Sequence, residues 1–264
     1  MSVLHYFQVR SFPSLFITGA VYGWLLEGAV VSTVYENLPF SISFTGLAWH
    51  APIDILLGWY LVRKSLIKFT PWRAASLFGL MGLVWGTWVL WPWYEMGDPI
   101  PLEGFVLFSL GTVFLLMVAY WLLGKRPIEN FKPSPFGVTT IALLLLISYL
   151  LNVLPNYLLT GLLLLPLLGI CWWALGREAV QRPKKSALIP PAGEARWMNL
   201  ILLLIFPFSA SLTYAFFLAA NLKLPSNIFL GLPASLLGAI LFLLSLWRIY
   251  NRTTHLPSQE PSSP

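Results

Sequence analysis

Long apolar runs alternate with short polar segments along the chain, and this pattern predicts a bundle of membrane-spanning helices. A helix needs about 20 mostly apolar residues to cross the hydrocarbon core of a bilayer. About eight runs meet this length, so the predicted fold class is all-α, a polytopic integral membrane protein. The predicted spans are residues 12–35, 44–62, 72–94, 102–123, 136–154, 157–176, 197–220 and 227–249.

The basic residues between these runs predict the orientation of the chain. Loops on the cytoplasmic side of a membrane carry an excess of Lys and Arg. All but Lys223 of the 16 Lys and Arg residues fall on one side of the predicted spans. We therefore expect both termini in the cytoplasm and a multi-pass location in the inner (plasma) membrane of the cell.

The polar segments also suggest how the chain is divided. Residues 1–252 are predicted to form a single transmembrane domain, within which the Pro- and Lys-rich loop at about 177–196 connects the first six spans to the last two. The Pro- and Ser-rich residues 253–264 are predicted to be a disordered tail, because they have too little apolar surface to pack.

Composition supports a membrane protein and argues against other classes. The chain is 58% hydrophobic and 10% charged, whereas about 25% of a soluble domain is charged. The net charge of +6 does not indicate a nucleic-acid partner, since the basic residues lie in short loops rather than on one soluble face. We expect membrane lipids as partners and no nucleic acid. Cys171, the single cysteine, excludes an intramolecular disulfide.

Three ionisable residues interrupt the first two apolar runs. Glu27 lies in the first, and His50 and Asp54 lie in the second. Both carboxyl groups lie about ten residues from the outer ends of their spans, which is about 15 Å deep in a core about 30 Å thick. A charge at that depth costs at least ~2.5–3.5 kcal/mol. Such residues usually mark functional sites in membrane proteins.

The spacing of glycines predicts that these residues face one another. Gly19 and Gly23 precede Glu27 at intervals of four residues, and Gly46 precedes His50 and Asp54 at the same interval. Residues four apart share a helix face, and small residues on such a face allow two membrane helices to pack closely. The two spans are joined by a short turn, so they are expected to be antiparallel neighbours.

This grouping predicts a catalytic site formed by Glu27, His50 and Asp54, suited to general acid–base chemistry or proton coupling. Metal binding is a weaker alternative, because the other two histidines, His5 and His255, lie near the termini and the remaining ligand spacing matches no known motif. A third alternative is structural, in which the carboxyl groups only hold the helices together. No metal site is predicted, and the sequence identifies no cofactor.

Polar and aromatic residues near the predicted outer ends are candidates for substrate contact: Tyr35, Glu36, Trp49 and Tyr214. The first functional hypothesis is an enzyme with an outward-facing intramembrane site that acts on a lipophilic small molecule by acid–base or metal-assisted chemistry. The alternatives are a small proton-coupled permease and a non-catalytic membrane subunit or scaffold. The sequence leaves the substrate and the oligomeric state open.

Overall fold

The computed structural model of the protein describes residues 2–125, 132–181 and 193–254, which form helices joined by short turns and contain no strand. The all-α prediction is confirmed for these ranges. Most of the predicted connector, residues 182–192, lies outside the described residues. The predicted tail also lies outside the described residues from residue 255 onward. Its first two residues, 253 and 254, belong to a helix that ends at Thr254.

The described residues divide into two compact units. The first comprises residues up to Leu56, those from Lys132 to the end of the second described range, and those from Ser235 onward. Its helices are Ser2–Tyr6, Phe12–Leu25, Leu26–Val30, Thr33–Tyr35, Ile42–Val62 (as far as Leu56), Pro135–Ser148, Tyr149–Val153, Leu158–Gly161, Leu164–Gln181 and Leu232–Thr254 (from Ser235).

Local sequence explains where the main helices of the first unit begin. The hydroxyl of Ser11 accepts a hydrogen bond from the backbone N–H of Ser14, and the Ser14 hydroxyl accepts one from the N–H of Ser11. This reciprocal capping box starts helix Phe12–Leu25. Ser134 caps helix Pro135–Ser148 through the N–H of Gly137.

The first unit is held together around the indole of Trp24, which is almost fully buried. Its Nε1 donates to the carbonyl of Ile42 at 2.9 Å, and its ring packs edge-to-face on Phe242 with centroids 5.1 Å apart. The hydroxyl of Ser43 donates to the carbonyl of Ser235 at 2.6 Å. These contacts hold helix Ile42–Val62 against helices Phe12–Leu25 and Leu232–Thr254.

The second unit contains residues from Leu57 to Lys125 and from Gly193 to Ala234. Its core is an apolar cluster of side chains around Phe78, Val113 and Leu203. Gly82 and Gly86 let helix Pro71–Trp88 approach helix Ile205–Ala219 closely, because a Cβ at either position would collide with backbone carbonyl oxygens. The helices of the unit are Ile42–Val62 (from Leu57), Arg63–Lys68, Pro71–Trp88, Trp91–Met96, Leu102–Gly124, Trp197–Leu202, Ile205–Ala219, Asn227–Gly231 and Leu232–Thr254 (as far as Ala234).

Six helical segments in the described residues are long and apolar enough to cross a membrane, which indicates a multi-spanning membrane protein. They match six of the predicted spans within a few residues: Pro71–Met96, Leu102–Gly124, Pro135–Val153, Leu158–Val180, Trp197–Ala219 and Asn227–Asn251.

The other two predicted spans, 12–35 and 44–62, are also helical but are not among the six. The helix of the first ends at Val30, before a short turn and a 3₁₀ segment. Both segments carry ionisable residues, Glu27 in one and His50 and Asp54 in the other, and these lower their hydropathy.

Candidate functional site

Helix Ile42–Val62 carries two of the three predicted site residues and is wound with π-type i→i+5 geometry. Pro52 lies inside it, between His50 and Asp54. Proline has no backbone N–H and therefore removes one hydrogen bond from the helix. The wide turn keeps His50 and Asp54, four residues apart, on one face of the helix.

Close contact between glycines brings this helix against the segment that carries Glu27. A Cβ added to Gly23 would lie 2.7 Å from the carbonyl oxygen of Gly46 and 2.8 Å from the Cβ of His50. One added to Gly19 would lie 2.8 Å from the Cα of Ala51. No side chain fits at either position, so the glycine face predicted from the four-residue spacing is the contact surface of the two helices.

The imidazole of His50 lies between the two carboxyl groups. Its Nε2 is 2.7 Å from Oε1 of Glu27, and its Nδ1 is 2.7 Å from Oδ2 of Asp54. Both distances are at the short end of the range for hydrogen bonds between charged groups. We call these three residues the Glu27–His50–Asp54 cluster. The structure thus brings together the three residues that the sequence predicted to face one another.

Two further residues touch the cluster, and the sequence did not indicate either. The hydroxyl of Thr33 donates to Oε2 of Glu27, so both carboxylate oxygens of Glu27 are engaged. Thr33 can turn back toward Glu27 because Ser32 adopts a left-handed conformation with φ of 73°. The ring of Tyr22 packs edge-to-face on the His50 imidazole, with centroids 5.7 Å apart. Neither residue lies at a helical interval from the group it contacts.

The two ends of the cluster differ in exposure. The side chains of Glu27 and His50 are each 16% exposed, whereas that of Asp54 is 42% exposed. The neighbouring side chains of Ile53 and Tyr22 are exposed as well. Asp54 is therefore the member that another molecule can reach, and the surface beside it is apolar and aromatic.

The hydrogen bonds determine what the cluster can do chemically. An imidazole can carry a proton on either nitrogen or on both. Because each nitrogen of His50 has a carboxylate partner, a proton received at one side can be released at the other. A metal ion bound to His50 would have to displace one of these carboxylates. Among the described residues, no group of three or more His, Cys, Asp or Glu side chains is arranged to hold a metal ion.

The four predicted substrate contacts have different surroundings. The hydroxyl of buried Tyr35 donates to the carbonyl of Gly28 at 2.7 Å, and Glu36 is exposed. Trp49 is half-buried and packs edge-to-face on Phe44. Tyr214 is buried in the second unit, where its hydroxyl donates to a backbone carbonyl. Substrate contact by these residues stays a prediction.

Comparison of the chain with protein-family models, with curated proteins and with solved structures finds no match. The function is therefore inferred from the geometry of this chain alone.

Proposed function

We propose that the chain crosses the inner (plasma) membrane eight times, with both termini in the cytoplasm. Six apolar helices and the two helical segments that carry the cluster support this number. The position of all but one of the Lys and Arg residues supports the orientation. In a Cys171→Ser background, a cysteine in place of Lys223 should react with a membrane-impermeant maleimide in intact cells, and one in place of Lys68 only after lysis. The reverse pattern contradicts this orientation.

We propose further that the protein is an enzyme that performs acid–base chemistry on a lipophilic substrate at the Glu27–His50–Asp54 cluster. The observation that carries this proposal is the His50 imidazole held at 2.7 Å from a carboxylate on each side. Positioned proton-transfer groups typically accelerate reactions by about 10²–10⁴-fold.

The difference in exposure suggests the role of each residue. From sequence alone, Glu27 would be the general base or a metal ligand, His50 the acid or a ligand, and Asp54 the residue that orients His50. Asp54 is the exposed member, however, and Glu27 is engaged by both Thr33 and His50. We therefore assign proton exchange with the substrate to Asp54. His50 accepts a proton from Asp54 at Nδ1 and releases one from Nε2 to Glu27. The reverse transfers return a proton to the product.

The surroundings of Asp54 suggest the class of substrate. Ile53 and Tyr22 present exposed apolar and aromatic surface next to the carboxylate. In a membrane such a surface faces lipid, so a molecule dissolved in the bilayer can reach Asp54 without crossing the bundle. This supports a lipophilic substrate.

The test uses the purified protein in nanodiscs made from a total membrane lipid extract. The sample is incubated in D₂O, and the lipids are then analysed by mass spectrometry. We expect one lipid class to gain deuterium or to be converted to a new product with the wild-type protein. His50→Gln should abolish the change, while Glu103→Gln, which removes an exposed carboxylate in the second unit, should leave it intact. Identical lipid profiles for wild type and His50→Gln would contradict the proposal.

A proton-coupled permease is the second candidate, and the continuity of the hydrogen bonds favours it. Asp54, His50, Glu27 and Thr33 form an unbroken chain along which a proton can move. In proteoliposomes with an internal pH-sensitive dye, a permease should acidify the lumen under an imposed potential, and His50→Gln should stop the flux. Flux without any change in the lipids favours the permease, whereas a change in the lipids without flux favours the enzyme.

A further inference from the structure

A cavity of about 210 Å³ lies in the first unit, and no residue of the Glu27–His50–Asp54 cluster lines it. Its walls come from the first turns of helix Phe12–Leu25, from helix Ile42–Val62 and from the last helix of the chain. The apolar wall is formed by Phe12, Phe16, Leu56, Leu241 and Leu244. The cavity is smaller than the ~300–1,000 Å³ typical of sites for whole small molecules. It therefore fits one segment of a longer apolar ligand.

One end of this cavity is basic. Arg248 lines it, and its side chain is exposed. Within the described part of the chain, Arg248 forms no ion pair with a carboxylate. Ser245, one turn before Arg248, also lines the cavity. Leu241, Ser245 and Arg248 follow one another at helical intervals, so they form one stripe that passes from apolar to basic over about 10 Å.

We propose that this cavity binds an anionic phospholipid, with the upper part of an acyl chain against the apolar wall and the phosphate at Arg248. The apolar wall of the cavity matches the acyl chain of such a lipid, and the basic end at Arg248 matches its anionic phosphate. The cavity also lies where the first predicted span begins and the last one ends, which is the predicted cytoplasmic side. The cytoplasmic leaflet of a membrane is the one whose anionic lipids attract basic side chains.

This proposal is independent of the chemistry at the cluster, and its test does not use activity. Native mass spectrometry measures how many phospholipids stay bound to the purified protein, with phosphatidylglycerol and phosphatidylcholine of identical chains as the two probes. One Arg near the membrane surface contributes enough attraction to change affinity for an anionic lipid about fivefold. We expect wild type to retain phosphatidylglycerol in preference to phosphatidylcholine.

Three variants separate the phosphate contact from general effects of charge and folding. Arg248→Gln should weaken phosphatidylglycerol binding about fivefold and phosphatidylcholine binding less, because the choline cation offsets the charge of its phosphate. Arg248→Lys should preserve the binding of both lipids. Leu244→Trp, which fills the apolar end, should weaken both lipids. Arg73→Gln is the matched control, because Arg73 is exposed, lies in another predicted cytoplasmic segment and does not line the cavity.

Equal phosphatidylglycerol binding by wild type and Arg248→Gln would overturn the proposal. An equal loss in Arg73→Gln would also overturn it, because the attraction would then be a general property of the basic surface. A protein dimer in the spectra that is lost with Leu244→Trp would mean that a second copy of the chain, rather than a lipid, covers the cavity.

Discussion

The glycine contact between the two helices of the site leads to a prediction for Gly23→Ala. The new Cβ would lie 2.7 Å from the carbonyl oxygen of Gly46, whereas ordinary contacts begin at 3.4 Å. The helices would have to separate by about 0.7 Å. If this shift is transmitted in full, the distance between His50 Nε2 and Glu27 Oε1 grows from 2.7 Å to about 3.4 Å, beyond the usual hydrogen-bond range.

We expect Gly23→Ala to destabilise the protein by about 1–3 kcal/mol, the usual cost of overpacking a well-packed contact. The assay is thermal unfolding in one detergent, combined with infrared spectroscopy of the carboxylate bands. Gly169→Ala is the matched control, because Gly169 lies in a helix of the same unit and a Cβ there meets nothing within 4 Å. The control should unfold at the same temperature or slightly higher, since alanine favours a helix over glycine by roughly 0.5–1 kcal/mol.

One result would refute this reasoning. If Gly23→Ala unfolds at the wild-type temperature and leaves the Glu27 carboxylate band unchanged, the helices do not touch at this glycine. The hydrogen bond of His50 to Glu27 would then not depend on the close approach of the two backbones.

Two further substitutions test one contact within the site and one contact in the second unit. Thr33→Val keeps the shape of the side chain but removes the hydroxyl that donates to Glu27. We expect the free energy of unfolding to fall by about 1 kcal/mol and the infrared band of the Glu27 carboxylate to shift. Thr33→Ser keeps the hydroxyl and should show neither change. Asn199→Ala removes the buried amide that donates to the carbonyls of Ser65 and Phe69 at 2.9 and 3.0 Å. Because these carbonyls would lose a buried partner, the free energy of unfolding should fall by about 1–3 kcal/mol. An unchanged melting temperature would contradict a stabilising role of these two hydrogen bonds.

Regular periodicity explains what the sequence predicted correctly. Length and hydropathy located six helical segments within a few residues, from Pro71–Met96 to Asn227–Asn251. The four-residue spacing from Gly23 to Glu27, and from Gly46 to His50, identified which faces would meet, since side chains four apart share a face of a helix.

Features that depend on irregular backbone could not be predicted. The return of Thr33 to Glu27 requires the left-handed conformation of Ser32, and no glycine marks that position. The role of Asn199 depends on carbonyls more than 120 residues earlier in the chain, a tertiary contact that has no local signature. Exposure is also a tertiary property, which is why the sequence could not distinguish Asp54 from Glu27 as the accessible carboxylate.

The most direct test of the proton-transfer site is ¹⁵N nuclear magnetic resonance of His50 in lipid bilayers. The other two histidines, His5 and His255, are replaced by glutamine so that one imidazole is observed. A relay predicts that Glu27→Gln mainly shifts the Nε2 resonance and that Asp54→Asn mainly shifts the Nδ1 resonance. If neither substitution changes the His50 spectrum, the imidazole does not bridge the two carboxylates and the proposed chemistry has no basis.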